Sequence, residues 1–114
     1  MQNFIKAIKA LSDKTRLRIL NVLLARECCV CEIMQALEIS QSRASRNLRI
    51  LQDAGFLRTQ RQGVWIIYSI DWDKANQYTV YLAGLLKDYP IDDEVLTQDK
   101  IRLKHAKRTG HGCH

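Results

Sequence analysis

Apolar residues recur at helical three- and four-residue steps through the first half of the chain. Phe4, Ile8 and Leu11 predict a short first helix. Leu17, Leu20 and Leu24, flanked by Ile19 and Leu23, predict a second from about Lys14 to Leu24. Ser12 or Asp13 can cap it, because a side-chain oxygen there accepts a bond from an otherwise unpaired backbone N–H. Ile33, Ala36 and Leu37 mark a third helix over about Val30–Leu37. After the tight connection Glu38-Ile39-Ser40, Ser40 caps a fourth helix running to Asp53, with Ala44, Leu48 and Leu51 facing inward. Gly55 tolerates the positive φ that ends such a helix.

The period then changes. Phe56 to Arg61 and Val64 to Ile70 read as two strands, with Gln62-Gly63 as a two-residue turn. A long helix is expected from after Asp71 to Tyr89, ahead of the single proline, Pro90. Its Ala75, Tyr78, Leu82, Leu85 and Tyr89 step by three and four, the seam one helix presents to another. With Phe4 and Ile8 of the first helix beside it, that seam predicts a homodimer. Residues 92–106 are a weaker helix candidate, and Thr109–His114, with two glycines, reads as a flexible tail. The expected class is mainly α (α+β), in the order α-α-α-α-β-β-α, with a unit over 1–91 and a C-terminal helix and tail over 92–114.

Two helices joined by a three-residue turn, followed by a hairpin, match a winged helix-turn-helix. The fourth helix shows Gln41, Ser42, Arg43, Ser45, Arg46, Asn47 and Arg49 on its polar side. An α-helix fits the DNA major groove, where Arg pairs with guanine, Asn or Gln with adenine, and Ser with several acceptors. In the hairpin, Arg58, Arg61 and Gln62 are candidates for phosphate or minor-groove contact. Charge agrees with this polarity: residues 1–61 carry 11 basic and five acidic side chains, whereas residues 71–99 carry two and seven. A polyanion would meet the first segment and be repelled by the second. The expected partner is double-stranded operator DNA, with no membrane. No apolar run approaches the roughly 20 residues that cross a bilayer, and the N-terminus lacks a signal-peptide pattern, so the cytoplasm is the expected compartment. There is no nucleophile–base pair, paired carboxylate or phosphate loop, and an enzyme is not expected.

Cys28, Cys29 and Cys31 put three thiols within four residues; the fourth cysteine is Cys113. In a reducing cytosol, such thiols are expected as ligands or redox groups rather than structural disulfides. Soft thiolates select thiophilic ions, and a helix N-terminus is expected to lower thiol pKa. Arg26 would assist that shift; Glu27 and Glu32 would oppose it.

Over about residues 4–89 the chain resembles the ArsR/SmtB metalloregulatory repressors. The likeness rests on Ala10-Leu11-Ser12-Asp13-Lys14-Thr15-Arg16-Leu17-Arg18-Ile19-Leu20, Cys29-Val30-Cys31-Glu32-Ile33, Ser40-Gln41-Ser42-Arg43-Ala44-Ser45-Arg46-Asn47-Leu48 and Gln62-Gly63-Val64-Trp65. Lys14 stands where a proline is frequent, and Asn47 where many members have histidine. The resemblance implies a winged-helix homodimer that represses its own resistance operon. It also places Cys29 and Cys31 where the arsenic, antimony, cadmium and lead sensors carry inducer-binding thiols. The similar arsenite sensors use a further cysteine three residues on; here that position is Met34, and Cys28 is the expected substitute. The implied inducer is As(III) or Sb(III), whose three-coordinate pyramidal form suits three sulfurs and would distort the helix start. Cd(II), Pb(II) or Zn(II) is the alternative, as is thiol oxidation in a redox-sensing repressor. Asp73–Tyr89 lacks the histidine of the zinc sensors' helix site, and the tail's His105, His111, Cys113 and His114 could bind zinc or add a thiol.

Overall fold

A computed structural model describes residues 1–73 and 77–109. Four helices come first: α1 (Gln2–Leu11), α2 (Lys14–Ala25), α3 (Val30–Leu37) and α4 (Gln41–Asp53). A hairpin of β1 (Leu57–Gln62) and β2 (Trp65–Ile70) follows, then α5 (Gln77–Asp88) and α6 (Glu94–His105). The expected order and a winged helix-turn-helix are present, with α6 in the weaker candidate region. Ala75 of the predicted seam, and His111, Cys113 and His114 of the tail, lie outside the described residues.

Local chemistry sets the boundaries. Of the two candidate caps of α2, Asp13 does the work, its carboxylate accepting from the Arg16 N–H at 3.0 Å. Ser40 caps α4 by accepting from the Arg43 N–H at 3.2 Å. The turn between α3 and α4 is made by Glu38, a non-glycine residue at φ 57°, a conformation that costs an L-residue about 1–2 kcal/mol. The strands pair antiparallel from Leu57↔Ile70 to Gln62↔Trp65. The turn is therefore Gly63-Val64, one residue later than expected, because Gln62 still pairs across the ladder. Gly63 takes φ 62°, which glycine adopts without strain.

Ile19 and Leu20 of α2, Ile33 of α3, Leu48 and Leu51 of α4 and Phe56 ahead of the hairpin are fully enclosed. α6 joins this core through Leu103 and through polar contacts. Asp99 is wholly buried and accepts from Arg18 Nε at 2.9 Å and Nη2 at 2.8 Å, and from Arg102 Nη2 at 2.9 Å. The same two arginines reach the last carbonyls of α3: Arg18 donates to Leu37 O at 3.0 Å and Arg102 to Ala36 O at 2.7 Å. Those carbonyls have no partner within their own helix. At the other end of α3, Arg26 ties Glu32 (2.7 Å) to Leu103 O (3.0 Å). α6 thus fastens α3 at both ends.

Removing Asp99 would take from Arg18 and Arg102 the buried carboxylate that they share. Asp99→Ala is expected to cost about 3–5 kcal/mol, read as a lower urea midpoint at unchanged slope. A midpoint equal to that of the wild type would show that α6 is not fastened by this residue.

Candidate nucleic-acid interface and thiol cluster

On α4, Gln41, Ser42, Arg43, Arg46 and Arg49 are exposed and Ser45 is half-buried, while Asn47 turns inward and is only 5% exposed. Its side-chain carbonyl accepts from Arg16 at 3.2 Å and its amide donates to Arg43 O at 2.9 Å. Arg16 continues to Ala10 O at 2.7 Å and Lys9 O at 3.2 Å, so Asn47 binds α4 to the end of α1. Arg43 also spends one guanidinium N–H on Thr15 Oγ1, at 2.6 Å. The side chains left facing outward in the first turns are Gln41, Ser42 and Arg46. Sequence reading missed Arg16, whose role depends on a contact 31 positions away.

In the wing, Arg58 is exposed beside Asp73 at 3.4 Å, and Arg61 is exposed with its Nε on Gly63 O at 3.2 Å. Gln62 is half-buried and accepts from Arg108, at 3.3 Å. Arg58 and Arg61 remain exposed; Gln62 is drawn toward the chain that leaves α6.

The three clustered cysteines pack in two different apolar clusters. Cys28 forms a two-way backbone bridge with Tyr68 of β2, N to O at 3.0 Å and O to N at 2.8 Å. Successive residues of extended chain point to opposite sides. Cys28 consequently faces the main core, whereas Cys29 and Cys31 pack with Ile67 and Trp65 in a second apolar cluster. The Cys29 and Cys31 sulfurs are 3.1 Å apart. Cys28 and Cys29 are free thiols; Cys31 is held in a disulfide, a departure from the reduced set expected of a cytosolic cluster. Among the described residues, no group of three or more His, Cys, Asp or Glu side chains is arranged to hold a metal ion.

The electrostatics also differ from expectation. Burial pushes the Cys28 thiol up to about 12 and raises that of Cys29, so both are protonated at neutral pH. Desolvation outweighs the helix N-terminus in this enclosed position. Arg26, expected to support thiolates, pairs with Glu32. Glu32 is buried, which favours its neutral form. Its acceptance of the Cys29 N–H (2.9 Å), Arg26 (2.7 Å) and Arg108 (3.1 Å) nevertheless holds its carboxyl below the ordinary value. The Cys29-to-Glu32 spacing is that of a capping box, with cysteine in the serine position, and was the signal available in the sequence.

On the opposite side, Phe4, Ile8, Tyr78, Leu85 and Tyr89 are exposed, as are Ile5 and Tyr81. Phe4 and Tyr78 meet edge to face at 5.2 Å, joining α1 to α5. Leu82 is instead half-buried against the main core, because the face of α5 that carries Ala83 turns inward.

The profile of the bacterial regulatory protein, arsR family, matches residues 13–59. The arsenic resistance transcriptional regulator ArsR2 of Pseudomonas putida is 45% identical over 99 residues, covering 85% of this chain and 83% of its own. ArsR1 of the same bacterium is 38% identical over 97 residues, covering 83% and 73%. The solution structure of the homodimeric winged helix-turn-helix DNA-binding domain Mb0332 of Mycobacterium bovis superimposes with a TM-score of 0.65. It is 29% identical and covers 76% of this chain and 77% of that one.

The two sides of α4 should respond differently to truncation. Arg46→Ala is expected to weaken binding to the cognate site by about 1–3 kcal/mol and relax discrimination at one base position. Asn47→Ala is expected to destabilise the fold by about 1–3 kcal/mol by removing the buried amide that links α4 to Arg16, seen in thermal unfolding. Equal losses on cognate and random DNA for Arg46→Ala would contradict base reading by this face.

Proposed function

The chain belongs to the arsR family of bacterial regulatory proteins, DNA-binding transcriptional repressors rather than enzymes, and we propose that it is a cytoplasmic homodimer that releases its operator when arsenite or antimonite binds the Cys29–Cys31 pair. The observation that carries the inducer is that pair: two sulfurs 3.1 Å apart, enclosed by Ile67 and Trp65. Tetrahedral zinc with bonds of about 2.3 Å spreads its sulfurs to about 3.8 Å. The narrower angle of pyramidal arsenic or antimony suits a closer pair. A metalloid centre of this kind needs a third sulfur.

The apolar face of α1 and α5 is the surface for a second copy, and its two-fold axis would set the α4 helices of the dimer about one DNA turn apart. Gln41, Ser42 and Arg46 would then read bases, with Arg43, Ser45 and Arg49 alongside and Arg58 and Arg61 on the flanking backbone. No helix among the described residues is long and apolar enough to cross a membrane, which fits a cytoplasmic regulator. A redox reading of the same cluster is favoured by one observation, the disulfide at Cys31.

Tyr81→Asp with Leu85→Asp is expected to give a folded monomer that has lost specific DNA binding; Leu82 is left intact because it supports the core. A variant that stays dimeric in ultracentrifugation would show the interface to be elsewhere.

Fluorescence anisotropy of the fully reduced protein on operator DNA separates the inducers. Arsenite and antimonite should release the DNA at concentrations where cadmium, lead, zinc and peroxide do not. Cys29→Ser and Cys31→Ser should bind operator but ignore arsenite. Release by peroxide alone would favour the redox reading. pH gives a second check. Arsenous acid exchanges its As–OH groups for protonated thiols with loss of water and no net proton release, so its affinity should stay flat between about pH 6 and 8. A divalent metal must displace the thiol protons and would bind more tightly as pH rises. An arsenite affinity climbing about tenfold per pH unit would contradict protonated, buried thiols.

A further inference from the structure

We propose that Arg43 grips the DNA phosphate backbone instead of reading a base, and that Thr15 is the positioning residue that sets its guanidinium in place; this rests on the reading of α4 as the DNA-facing helix. The two residues are 28 positions apart in sequence, and Arg43 Nη2 donates to Thr15 Oγ1 at 2.6 Å. Thr15 lies in the first turn of α2 and is only 4% exposed. Arg43 lies in the first turn of α4 and is exposed. A buried hydroxyl therefore anchors a surface guanidinium.

The backbone of Arg43 is fixed as well. Its N–H donates to Ser40 Oγ at 3.2 Å, and its carbonyl accepts from the Asn47 amide at 2.9 Å. A long, unbranched side chain loses much rotamer freedom when a ligand immobilises it. In Arg43 the fold has already imposed part of that loss. A guanidinium has several N–H donors, and among the described residues only the Thr15 hydroxyl engages one of them. The rest form a preset, planar fork of the kind that matches a phosphate group.

Direction separates Arg43 from the base readers. Arg46 stays on the outward face of α4, whereas the Arg43 guanidinium is drawn back to the start of α2. A helix in the major groove has phosphates along both flanks. A guanidinium led off the outward face meets those before it meets a base edge. Lys14, exposed one residue before Thr15, adds a second cation near the fork, and the first turn of α2 carries no acidic residue. Asp13, the cap of that helix, is engaged by Arg16.

The test uses the full-length, reduced protein and fluorescence anisotropy over a range of salt. Two duplexes of equal length are compared, one selected by the wild type from a random pool and one of random sequence. Arg43→Ala should weaken both by similar factors, about tenfold or more. It should also lower the slope of log affinity against log salt by about two, one phosphate for each subunit of the dimer. Thr15→Val keeps the side-chain shape without the hydroxyl and should weaken both by about three- to tenfold, with the slope unchanged. Thr15→Ser should bind as the wild type does. Added to Arg43→Ala, Thr15→Val should cost nothing more. The wild type alone supplies a check that needs no change at position 15. Without DNA, the Arg43 Nε–H should be nearly as ordered as the backbone, with an NMR order parameter of about 0.8, against below about 0.6 for Arg46. Loss on the selected duplex alone in Arg43→Ala, or an unchanged salt slope, would overturn the phosphate contact. An Arg43 as mobile as Arg46, or a Thr15→Val loss that persists on top of Arg43→Ala, would overturn the positioning by Thr15. A wild type that binds both duplexes equally would overturn the reading of α4 itself, and both assignments with it.

Discussion

The buried carboxylate of Glu32 is the contact on which the site depends. It lies at the start of α3, one of the first residues whose backbone N–H groups lack helical partners, and accepts the Cys29 N–H. Arg26 and Arg108 reach it from two separate stretches of chain, and a buried charge is tolerable only when paired this fully. Three features are located by it: the thiol-bearing helix start, the end of α2 through Arg26, and the chain after α6 through Arg108. With its carboxyl held below the ordinary value, the stability it contributes is present above that value. It is lost as pH falls through the lowered one.

Around that node runs a path by which the proposed chemistry at sulfur would reach DNA. Cys29 and Cys31 pack on Trp65 and Ile67 of β2, while the backbone of Cys28 is bonded to β2 at Tyr68. The far end of the same short helix, α3, leads through the strained Glu38 turn to α4. Any rearrangement of the helix start therefore meets the wing directly and the recognition helix through one rigid element. Arg18, Arg102 and Asp99 hold the far end of α3, so movement at the thiols would be transmitted rather than absorbed there.

Much of this was legible in the sequence because it is local. Helical spacing placed Leu20, Ile33, Ala36, Leu48 and Leu51 inside, where they are buried, and Ser40 and Gly55 marked the ends of α4. What was not legible depends on long-range contacts. Asn47 belongs by sequence to the polar side of α4, yet it turns inward onto Arg16. Cys28 adjoins Cys29 in sequence, yet the bridge to Tyr68 sets the two in different apolar clusters. Leu82 shares the step of the exposed seam, yet packs toward the core. The charged residues of α6 gave no sign that Asp99 would be fully enclosed by two arginines.

The central claim is that the thiol pair and the DNA-reading helix share one coupled structure. Thermodynamic linkage makes such coupling reciprocal, typically worth about 1–3 kcal/mol, or roughly 5–150-fold in affinity. The most direct measurement is a pair of arsenite titrations of the reduced protein at one fixed salt concentration, with and without saturating operator. Salt must be held constant because it alone changes DNA affinity by large factors. Operator-bound protein should bind arsenite more weakly than free protein, by the same factor that arsenite weakens operator binding. Equal arsenite affinity in the two titrations would contradict the account, however tightly the cysteines hold the metalloid.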